Sequence, residues 1–69
     1  METHKDRLIK ATVLRFQAQK AEAQANLMVY LNSSVGVSEH PNVVEEIAEL
    51  TKKIAEADEC ISVLDRDGR

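Results

Sequence analysis

Val43, Ile47, Leu50, Ile54, Ala57, Ile61 and Leu64 recur at steps of four and three residues. That spacing lays one narrow apolar stripe along a helix, the seam that a second helix covers. Glu45, Glu46, Glu49, Lys52, Lys53, Glu56 and Glu59 fall between the seam positions and belong in water. A chain with this stretch is committed to packing helix on helix, and the remaining residues decide what lies against the seam.

Upstream, Thr3 followed three residues later by Asp6 reads as a helix start with a short capping box. No Gly or Pro interrupts residues 3–31, which are rich in Ala, Gln, Lys and Leu. The expected rod is about 42 Å long at about 1.5 Å per residue. At 100° per residue, Ala11, Leu14, Ala18, Ala21, Ala25 and Met28 share one sector. Ile9, Val13, Phe16, Ala23, Leu27 and Leu31 share a nearly opposite one, broken by Lys20. Arg15, Gln19, Glu22 and Asn26 mark one polar strip between them, Gln17 and Gln24 the other. A helix apolar on two sides has two neighbours to satisfy. One is the seam of its own chain and the other comes from elsewhere, so both sectors are candidates for self-association. Which of them faces the seam is open at this point. The alanine sector admits a helix at the short end of the usual 8–10 Å spacing.

Residues 32–40 have turn composition: Asn32 or Gly36 can close the first helix, with Val35 and Val37 folding back over its end. Pro41 suits the first turn of a second helix over 41–64, capped by His40 or Ser38, or one step on by Asn42 with Glu45. Asp65, Arg66, Asp67, Gly68 and Arg69 read as a frayed tail with Gly68 as a stop. Beside the seam runs a second stripe, Val44, Ala48, Thr51, Ala55, Asp58 and Ser62, that also admits another helix at close range. The expected fold is all-α: one domain, an antiparallel two-helix hairpin of coiled-coil type. The charges agree with an antiparallel pair. Residues 1–20 carry five basic and two acidic side chains, and residues 41–67 carry eight acidic and three basic ones.

A lone hairpin has a contact surface but no interior. Full burial of a large seam side chain is worth about 1.5–3 kcal/mol, while ordering the backbone costs about 1–2 kcal/mol per residue. Chains of 69 residues usually need a staple. Cys60 is the only cysteine, so no disulfide forms within the chain, and His4 and His40 lack a second cysteine to complete a zinc site. Association remains, and pairing two hairpins into a homodimeric four-helix bundle buries both sectors of the first helix.

Little points to chemistry. Metal sites in helical bundles use Glu-x-x-His with inward carboxylates, whereas Glu45, Glu49, Glu56 and Glu59 face away from the seam and none is followed by such a histidine. Asp65, Asp67 and Gly68 echo part of a calcium loop without its closing Glu. Cys60 reads as a small hydrophobe beside the seam with no base to activate it, His40 as a cap or surface residue, and His4 lies in the terminus. No Gly-rich phosphate loop or nucleophile triad is present. No enzymatic activity, cofactor or metal is expected. The first ten residues are too charged for a secretory signal and no run of about 18 apolar residues exists, so cytoplasmic residence without a membrane span is expected.

The expected role is that of a small interaction or adaptor protein that self-associates and contacts a larger protein. A rival is a hetero-oligomeric subunit whose Ile9 to Leu31 sector meets a different chain. The alternative from another class is RNA or DNA binding through Lys5, Arg7, Lys10, Arg15 and Lys20, doubled by dimerisation. Through its architecture, and Arg15 and Phe16 followed by glutamines, the chain is similar to the plasmid-encoded helical-hairpin dimers that bind paired RNA loops. That resemblance implies a basic helix-1 face turned toward RNA. The long segment after Asn32 and a Phe16 on an apolar sector depart from it.

Overall fold

A computed structural model describes residues 1–32 and 42–68. Two helices, α1 (His4–Asn32) and α2 (Val43–Asp67), pack antiparallel as a hairpin 53 Å long and 16 × 13 Å in section. The readings placed on residues 33–41, including the Val35 and Val37 contact and the Pro41 start, lie outside the described residues, as does Arg69.

The start of α1 is the capping box expected from Thr3 and Asp6. The Thr3 backbone N–H donates to Asp6 Oδ2 at 3.0 Å, and the Asp6 N–H donates back to Thr3 Oγ1 at 3.1 Å. Two of the orphan amides of a helix N-terminus are thereby satisfied. At the other end, Asn32 Nδ2 donates to the Met28 carbonyl at 3.0 Å, so Asn32 closes the helix from inside its last turn. Residue 42 differs from expectation: Asn42 caps α2 without a side-chain hydrogen bond, so the Asn42–Glu45 box is not formed. The first turn still carries Glu45 and Glu46, which suit the positive end of the helix dipole.

α2 also runs past Leu64, taking up Asp65, Arg66 and Asp67, the residues read as tail. Nothing in that trio breaks a helix, and the loss of apolar period removes a reason to pack, not a reason to coil. Gly68 ends it, its N–H donating to the Leu64 carbonyl at 2.8 Å. The position has no room for a side chain. A Cβ there would collide with the Leu64 carbonyl oxygen and stand 2.8 Å from Ile9 Cδ1.

The seam of α2 turns inward as its spacing requires: Leu50 and Ala57 are buried, and Val43, Ile47, Ile54, Ile61 and Leu64 are half-buried. The question left open for α1 has an answer. Ile9, Val13, Phe16, Lys20, Ala23, Leu27 and Tyr30 turn toward α2, again at steps of four and three, with Ala23 buried and the others half-buried. The Ile9 sector packs against the chain's own second helix. One correction follows. Leu31, grouped with that sector, instead points out, and Tyr30 holds its place in the seam; a 3.5-residue repeat continued from Leu27 reaches Tyr30 first.

Candidate interaction surface

Only Ala23, Leu50 and Ala57 are buried among the described residues. Two alanines and one leucine make a thin centre, so the hairpin's remaining faces are where function has to be sought. The pair of rods has two flanks, and they differ in chemistry.

One flank bears Cys60. Phe16, Ala23, Leu50 and Ala57 floor a shallow groove of about 390 Å3, rimmed by Gln19, Glu22, Asn26, Lys53, Glu56 and Cys60. Arg15, Glu46 and Glu49 extend this charged side. Cys60 is free and half-buried, as its place beside the seam suggests. Among the described residues no three His, Cys, Asp or Glu side chains converge as metal ligands would.

The other flank is neutral over residues 11–31 of α1, where Ala11, Leu14, Gln17, Ala18, Ala21, Gln24, Ala25, Met28 and Leu31 carry no charge. Arg7 and Lys10, seven residues before Leu14 and Gln17, stand on the same side at the start of the helix. Across from them α2 presents Val44, Ala48, Thr51, Ala55, Asp58 and Ser62. Midway along it Asp58 is answered by Lys20, whose Nζ lies 2.6 Å from Asp58 Oδ1, and Asp65, seven residues on, stands at the same end as Lys10. Lys20 therefore does not break the seam: its stem packs there while its ammonium reaches out to the flank. The composition of α1 alone shows Lys20 as an interruption. The signal that resolves it is Asp58, one residue past the seam position Ala57 on the antiparallel partner. Leu14, Met28, Leu31 and Val44 stand on this neutral side 56, 55, 59 and 81 % exposed. The six-residue alanine sector, with Ala18, Ala21 and Ala25 at its middle, is exposed throughout. Searches of protein families, curated proteins and solved structures find no match to this chain.

The five basic residues of α1 do not gather. Successive 100° steps spread Lys5, Arg7, Lys10, Arg15 and Lys20 around the whole circumference. Lys20 is engaged by Asp58, and Arg7 Nε lies 3.8 Å from Glu2 Oε2. Among the described residues no helix is long and apolar enough to cross a membrane.

Proposed function

We propose that the chain is a non-enzymatic interaction protein that self-associates, two hairpins forming a four-helix bundle, and that the bundle contacts a larger protein. The observation that carries this reading is the neutral flank. In a chain 30 % charged, more than half of each of Leu14, Met28 and Leu31 is left in water on a side whose middle carries no charge besides the Lys20–Asp58 pair. Interfaces are depleted of charge at their core, and a hairpin with three buried residues among those described gains from covering such a side. The groove on the Cys60 flank, apolar at its floor and charged at its rim, then remains available to the larger partner. Even distribution of the basic side chains argues against a nucleic-acid surface, which would concentrate them on one side.

Size-exclusion chromatography with light scattering tests the reading. A helical species of twice the 7.7 kDa chain mass is expected at micromolar concentration. A folded monomer at that concentration refutes it.

A further inference from the structure

Two exposed large side chains of the neutral flank stand at equal distances from its middle. Leu14 and Met28 lie seven residues to either side of Ala21, each about 10 Å from it along the axis. Ala18 lies three residues before that point and Ala25 four after it, so the same axis sets each opposite a glutamine, Gln24 or Gln17, of the other copy. We infer that the occupant of this flank is a second copy of the chain laid antiparallel, with a two-fold axis crossing the rods at Ala21. This rests on the self-association reading and adds to it the surface, the direction and the pairing.

Under that axis Leu14 of one copy meets Met28 of the other twice, and Ala21 meets Ala21, so large side chains close both ends of an alanine-lined contact. The self-complementarity is what an isologous interface requires. Alanine at the crossing lets the two α1 axes approach to about 8 Å. A face 53 Å by 16 Å offers on the order of 800 Å2, about what each partner gives to a standard-size interface. The charge pattern fits the direction too. Arg7 and Lys10 lie on this flank at the start of α1, and antiparallel docking carries them toward the end of the partner where α2 begins beside Glu45. A parallel arrangement would stack the two basic ends on each other.

Cysteine pairing in a Cys60→Ser background decides it, with mass measured alongside. The expected result is that Ala21→Cys shifts to a disulfide dimer on a non-reducing gel under air oxidation. Leu14→Cys and Met28→Cys should each stay reduced alone and cross-link when mixed. Cys60 of the unsubstituted chain should keep its reactivity toward a thiol reagent at concentrations where the mass is doubled. Leu14→Cys cross-linking to itself would overturn the antiparallel axis. A dimer in which Ala21→Cys stays reduced would overturn the assignment of the flank while leaving self-association intact, and shielding of Cys60 in that dimer would place the contact in the groove. A monomer by light scattering removes both.

Discussion

Replacing Leu50 by alanine asks the most of this structure. Leu50 is the largest buried side chain among the described residues, at 7 % exposure, and it sits between the half-buried Ile47 and Ile54. Removing three carbons from it forfeits about 2.4 kcal/mol at about 0.8 kcal/mol per methylene. A closed core would add a cavity penalty that carries such substitutions up to about 5 kcal/mol. Here that second contribution should be small. Leu50 floors the groove beside Phe16 and Ala57, so the space it vacates joins a groove already open to water. The expected loss is therefore about 2–3 kcal/mol per chain, near the low end of the Leu→Ala range. Val29→Ala serves as the control. Val29 is 62 % exposed on α1, and alanine is the better helix former, so that change should stay within about 0.5 kcal/mol. Urea unfolding followed by helical circular dichroism, at one fixed chain concentration for all variants, measures both. A Leu50→Ala cost below about 1 kcal/mol, or one equal to that of Val29→Ala, would mean that α2 does not pack on α1 through Leu50.

Three further outcomes are expected. Ile54→Asp places a carboxylate at a half-buried seam position and should leave no cooperative thermal transition, while Glu56→Gln, on the exposed rim, should leave the melting curve where it was. Lys20→Met keeps the apolar stem in the seam and should hold or raise the urea midpoint; Asp58→Asn, which removes the acidic partner of a pair left 53 % exposed on that side, should cost less than about 1 kcal/mol. The Thr3 backbone N–H, followed by the Thr3 hydroxyl, holds the Asp6 carboxyl below its ordinary value of 3.8. A lowered folded-state value means that the box stabilises α1 above pH 3.8 and that its contribution disappears as pH falls through that lower value. Carbon-detected titration of Asp6 should show this, and Thr3→Val, which removes the hydroxyl and keeps the backbone N–H, should move it only part of the way back toward the ordinary value; an unshifted Asp6 in the parent chain would remove the box.

How much of this was legible in the residues divides along the two helices. α2 is apolar on one stripe and charged on the others, so its inward face follows from period alone. All seven seam residues from Val43 to Leu64 lie inward. α1 offers two apolar sectors of similar strength, and period cannot choose between them. Volume does. Ile9, Val13, Phe16 and Leu27 fill the space beside a seam of isoleucines, while the alanine sector would leave it open. Leu31 falls outside the seam because a sector drawn at 100° per residue drifts about 20° per heptad from a 3.5-residue seam, and by the fourth turn the drift selects Tyr30. The end of α2 escapes the pattern for a different reason: Asp65, Arg66 and Asp67 are ordinary helical residues, and an apolar pattern marks where packing stops, not where hydrogen bonding does.

The Lys20–Asp58 pair explains why two stripes of nearly identical period stop in one register. A heptad seam is tolerant of sliding, because each shift of seven residues brings apolar positions opposite apolar positions again. Slid one way, Thr51 takes the place of Asp58 and the half-buried ammonium of Lys20 loses its carboxylate. Slid the other way, Asp65 arrives to meet Lys20, but α2 then ends short of Ile9 and Val13, which are left in water. At about 1.5–3 kcal/mol for each large side chain, losing Ile9 and Val13 outweighs anything an exposed ion pair can return at about 0.2–1 kcal/mol. The observed register alone keeps the pair and both side chains. One lysine at a seam position, of little worth as a stabiliser, thereby selects the alignment that puts Leu14, Ala21 and Met28 beside Ala55 and Asp58 on a single neutral side.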